Sequence, residues 1–140
     1  MRNLLLSVVL CLAMSFSFAQ SEIKTLNEKM AKKNVIVVVD FLTKNLKLDS
    51  KQKAICMNAY SEYANAIIKG NNKVNKMHTK PTMASRKQMQ EYVLRFSEKR
   101  NKTFMPCLNK KQAKQFSELQ RQIDPRTLEV RERSAKKKKN

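Results

Sequence analysis

The chain has 140 residues, with 30 Lys and Arg against 11 Asp and Glu, a formal net charge of +19, one glycine and no tryptophan. A single glycine is too few for the tight turns and bulges of a strand-rich fold, and it excludes a Gly-rich phosphate loop. The length fits one domain, and so strong a positive balance requires either anionic partners or tolerated self-repulsion.

The chain opens with Arg2, an apolar run from Leu4 to Leu12 and small residues ending in SFSFAQ, the form of a secretory signal peptide. Ser17 and Ala19 are the small residues a signal peptidase requires, so cleavage is expected after Ala19. Cys11 follows Leu10 inside the apolar run, which argues against lipidation. The run is shorter than the ~20 residues that cross a bilayer, and no later stretch is longer or more apolar. The expected organisation is a leader over 1–19, a helical domain over 20–128 and a basic disordered tail over 129–140, in a periplasmic or otherwise secreted protein with no membrane span.

After the leader, Ile23, Leu26, Met30, Val37 and Phe41 fall near one helical stripe. Val35 to Val39 is a β-branched run that favours strands. It has no second run to pair with, and a strand there would have bare edges, so a helix is expected. From Asp49 onward, Cys56, Tyr60, Tyr63 and Ile67 repeat at helical spacing, flanked by Ala59, Ala64 and Ala66. Gly70 to Asn72 (GNN) is expected to stop this helix. KVNKMHTKPTMAS, with Pro81, reads as a loop or bend. A third helix carries Met89, Tyr92, Val93, Phe96 and Phe104 and ends by Pro106. A fourth runs from about Lys110 to Ile123 with Phe116, Leu119 and Ile123 inward, and Pro125 stops it. The fold class expected is all-α, about four helices.

Two helix starts share a pattern: Leu48, Asp49 and Gln52 in LDSKQ, and Leu108, Asn109 and Gln112 in LNKKQ. A short polar N-cap accepts a hydrogen bond from the third helical residue's N–H, and Gln at that third position reaches back to the cap's N–H. Ser85 and Gln88 have the same spacing. The preceding leucines then turn inward. The paired boxes resemble the Spy/CpxP family of periplasmic helical proteins, which carry two Leu-Thr-x-x-Gln motifs separated by a long helical region. The resemblance covers Leu46 to Ile123, with Asp49 and Asn109 standing where the family has Thr.

The resemblance implies an ATP-independent chaperone with no cofactor, built as an extended, cradle-like homodimer of bent helices with a basic concave face, among relatives tied to envelope and metal stress. The motif residues would then shape the helix junctions and do no chemistry. Positive charge would recruit unfolded or acidic client proteins, and apolar side chains would hold them loosely. The candidate client-binding residues are Arg86, Lys87, Met89, Tyr92, Arg95, Phe96, Lys99 and Arg100. The bland reading of the same residues is an amphipathic helix, basic outside and apolar inside. An alternative function is a structural or stress-sensing protein that binds an anionic envelope polymer or a membrane sensor's outer domain. Export argues against specific nucleic-acid binding.

Cys56 and Cys107 are an even pair in an exported chain, which allows a disulfide closing a long loop. The alternative is two reduced thiols acting as small hydrophobes. Met77, His78 and Met83 offer soft ligands, but one His and scattered Met fall short of a metal site, and none is expected. His78 is the sole imidazole, neither cysteine sits in a nucleophile context and the acids are isolated, so an enzyme is not expected.

Overall fold

The computed structural model describes residues 25–131. The proposed leader and cleavage site, Ile23 and the residues from 132 onward lie outside them. The fold is all-α, with four α-helices among the described residues: α1 Glu28–Leu46, α2 Ser50–Met77, α3 Met83–Phe104 and α4 Lys110–Leu119. Short 3-10 turns follow α3 (Met105–Cys107) and α4 (Gln120–Gln122). No helix among the described residues is long and apolar enough to cross a membrane.

α1 starts at Asn27, whose side chain accepts the Met30 N–H at 2.9 Å. Its β-branched run is helical because Val35, Val38, Val39 and Leu42 sit at i, i+3, i+4 and i+7 and are all buried. Burial of that stripe outweighs the strand preference of valine, a bias of at most ~1 kcal/mol per residue. The stripe is rotated from the expected one. Val37 is 45% exposed and Ile36 53%, Met30 and Phe41 are half-buried, and Leu26 is buried just ahead of the helix. With apolar residues at five consecutive positions, periodicity could not choose the phase. Lys47 ends α1 in the left-handed region at φ 53°.

Short turns at 47–49 and 78–82 make α1, α2 and α3 successive antiparallel neighbours, with α2 packed between the other two and α4 against α1. Cys56, Ala59, Tyr60, Tyr63, Ala64 and Ile67 form the buried face of α2. At ~1.5 Å rise per residue its 28 residues span about 42 Å. That length corrects the expected stop at Gly70. α2 continues to Met77, and Gly70 is buried inside it because the rings of Tyr92 and Phe96 pack on it: a Cβ there would lie 3.4 Å from Tyr92 Cδ2. The register of the α3 start is also corrected. Its N-cap is Thr82, and buried Ser85 is the reciprocal partner at the third position, its Oγ accepting the Thr82 N–H, not an N-cap itself.

Beyond α4 the chain turns back over the bundle. Asp124 Oδ1 accepts the N–H groups of Arg126 and Thr127, and Asp124 Oδ2 pairs with Arg131 at 2.9 Å. Ile123 bridges Val130 antiparallel. Buried Leu128 adopts φ 58°, a left-handed conformation that costs a non-glycine residue about 1 kcal/mol and is offset by complete burial of its side chain. Two carbonyls of this strap are captured by the helices: Thr127 O by Asn34 of α1 at 2.7 Å, and Pro125 O by the Tyr63 hydroxyl of α2. The strap includes Glu129, Val130 and Arg131.

Candidate functional site

The two leucine-led segments meet. Asp49 and Asn109 are N-caps of α2 and α4, each in a complete capping box with Gln52 or Gln112. Both N-cap oxygens accept at 2.8 Å, and both Gln Oε1 atoms accept the cap's own N–H at 3.1 Å. The side-chain amides then face each other. Gln52 Nε2 donates to Gln112 Oε1 at 2.9 Å, and Gln112 Nε2 returns a longer bond to Gln52 Oε1 at 3.3 Å. The second hydrogen of each amide reaches the chain just ahead of the other motif, Gln52 to Cys107 O at 2.8 Å and Gln112 to Leu46 O at 3.1 Å. Leu48 and Leu108 lie half-buried against the core on either side. The result is a near-symmetric clasp tying the starts of two helices sixty residues apart in sequence. Glu in place of either Gln would still close its own box but could not donate across.

Phe104 and Phe116 pack edge-to-face behind the clasp, with centroids 5.0 Å apart. Cys56 is buried and Cys107 half-buried, and both are free thiols, so the bridge considered for them is not formed here. Cys107 Sγ donates instead to Phe104 O at 2.9 Å. Burial pushes the Cys56 thiol up to about 12, nearby Cys107 adds to the rise, and Arg100 opposes it. Burial also raises Cys107.

The eight candidate client-binding residues part company. Arg100 is removed from the set: it is only 7% exposed, its guanidinium 4.9 and 4.7 Å from the ring centroids of Tyr60 and Tyr63. Its Nε and Nη2 donate to Asn101 Oδ1, which also accepts from Gln120 Nε2, linking α3 to the end of α4. The spacing Val93, Arg100, Phe104 puts Arg100 on the inner stripe of α3, a signal its charge obscured. Arg86 and Met89 line a different cavity near the α2–α3 turn, and Lys87 is exposed away from both.

Tyr92, Arg95, Phe96 and Lys99 do converge, on an open groove of about 510 Å³ between α2 and α3. The Tyr92 and Phe96 rings stack at 5.9 Å and 9°, and Arg95 Cζ lies 5.1 and 5.2 Å from their centroids. Lys69 and Lys73 of α2 complete the rim, with Glu62 the one acid among the lining residues. Lys73 lies past Gly70, in the part of α2 beyond the expected stop, and Lys69 lies one residue before it. Gly70 forms the floor. The arrangement offers a stacked apolar wall under a ring of cations, suited to noncovalent holding of an anionic, partly apolar chain.

Comparison with known proteins finds no matching family model, no matching curated protein and no matching solved structure.

Proposed function

We propose that this chain is an exported, ATP-independent chaperone-like protein of the cell envelope that holds unfolded or acidic clients by reversible charge and apolar contact. The observation that carries this reading is the groove where Tyr92 and Phe96 stack beneath Lys69, Lys73, Arg95 and Lys99. Leu94 and Met83 on α3 and Met77 on α2 are further exposed apolar side chains, outside the groove. The clasped Leu-x-x-x-Gln motifs add the resemblance to Spy/CpxP proteins, whose helix-start boxes have the same spacing. That resemblance also implies a cradle-like homodimer, which sedimentation of the processed chain tests.

The test of function is aggregation of an unrelated unfolding protein, followed by light scattering at low and high salt with and without the processed chain. Suppression is expected, partly retained at high salt because ring contacts are not screened. A Tyr92→Ser/Phe96→Ser variant should lose the salt-resistant part. Absence of suppression at low salt would overturn the proposal.

A second reading is favoured by the charge itself, since 30 basic residues face only 11 acids. On it, the protein binds an anionic envelope polymer or a sensor domain. It predicts no suppression and an affinity that collapses as salt rises.

A further inference from the structure

A second cavity, of about 440 Å³, lies at the far end of the α2–α3 hairpin, away from the clasp. Its walls come from separate parts of the chain: Asn71, Asn75 and His78 at the end of α2, Lys80 in the turn, Arg86 in the first turns of α3 and Arg126 from the strap after α4. No Asp or Glu lines it. Among the described residues, the side chains of Arg86, Arg126 and Lys80 make no ion pair or hydrogen bond, and Asp124, the nearest acid in sequence to Arg126, is engaged by Arg131. The strap's closure by Asp124 fixes where the chain carries Arg126, through the Arg126 and Thr127 amides. The α3 N-terminus adjoins through buried Ser85, adding the positive end of a 22-residue helix.

We infer that this cavity is a binding site for a phosphate-bearing ligand, held between Arg86 and Arg126. Three cations with no acid among the lining residues disfavour a cation and leave a neutral ligand to face uncompensated charge. Planar guanidinium forks give paired hydrogen bonds to phosphate oxygens, and three positive charges suit a multiply charged group better than a single carboxylate. The volume exceeds one phosphate and falls in the range of small-molecule sites, leaving room for an attached polar body against Asn71 and Asn75. The phosphate can belong to a soluble phosphorylated molecule or to a lipid headgroup. This site is separate from the aromatic groove and stands without the chaperone reading.

The test uses the processed chain and calorimetric titration with pyrophosphate, with flotation on vesicles of phosphatidylcholine alone or with one third phosphatidylglycerol. Three proteins are compared: the parent, Arg86→Gln/Arg126→Gln, and Lys32→Gln/Lys33→Gln, which removes the same charge from exposed positions of α1. All four positions are exposed, so thermal melts should coincide and exclude misfolding. Saturable binding of one pyrophosphate per chain, weakened tenfold or more by the arginine pair and less than twofold by the lysine pair, is the expected result and indicates a soluble ligand. Binding to anionic vesicles with the same arginine dependence also supports the site and identifies the source as a headgroup. Equal losses in the two variants, several pyrophosphates per chain, or no binding in either arm overturns the proposal.

Discussion

Arg100 brings a permanent charge into the bundle without a carboxylate to meet it. Two tyrosine faces and the Asn101 carbonyl take the place of water. A desolvated cation over an aromatic face is worth roughly 2 kcal/mol, and the flat guanidinium suits two rings in a way an ammonium does not. Arg100→Lys should therefore destabilise the protein by about 2 kcal/mol in urea unfolding. Arg100→Met should cost less, because an apolar replacement leaves no buried charge behind. If lysine were the milder change, charge and not ring geometry would be holding the site. Gly70 presents the opposite case, a helical glycine that the structure does not require to lack a Cβ. A Cβ at 3.4 Å from Tyr92 is ordinary contact, so Gly70→Ala should raise stability by about 0.5–1 kcal/mol through helix propensity. Gly70→Leu would displace the stacked rings, and the proposed salt-resistant suppression of aggregation should fall while circular dichroism stays helical.

Between elements, the clasp makes α2 and α4 start together. Its worth is in the coupling: either Gln→Ala change leaves the partner amide without its cross-bond, so the two losses should not add. A cycle of Gln52→Ala, Gln112→Ala and the double variant should give an interaction energy of about 0.5–3 kcal/mol; simple additivity would mean two independent capping boxes. Each box could be read from the chain because capping is local, confined to an N-cap and the residue three further on. The amide pairing was not readable, since nothing in sixty intervening residues states that Leu46 and Cys107 will be neighbours. Local signals also misled where tertiary contact overrode them. Gly70 looks like a stop signal until Tyr92 and Phe96 cover it, and Ser85 fits an N-cap until Thr82 takes that place one turn earlier. Half of the aromatic groove was visible in the spacing of Tyr92, Arg95, Phe96 and Lys99. In its other half, Lys73 depended on a helix length the glycine concealed, and Lys69 on the packing of α2 against α3.

At the scale of the whole molecule, the buried ionisable groups beside α3 are acids kept neutral, which fixes how stability responds to alkali. Cys56 is raised by burial to about 12, and Tyr60 and Tyr63 are raised by burial as well. Each loses its proton more readily in the unfolded chain, whose thiol ionises near 9 and whose phenols ionise near 10. Their contribution is complete below about pH 9. It declines as pH climbs through the interval between the unfolded and folded values, because the unfolded state then binds fewer protons. Self-repulsion within a chain of formal charge +19 is a separate influence on stability. Salt separates the two effects, since it screens repulsion between surface charges and leaves a buried thiol untouched. Melting temperatures measured at high salt should be level from pH 6 to 8 and fall above pH 9, and Cys56→Ala, less stable at neutral pH, should show a shallower fall. A decline equally steep in Cys56→Ala would remove the thiol from the account and leave the tyrosines to explain the whole alkaline limb.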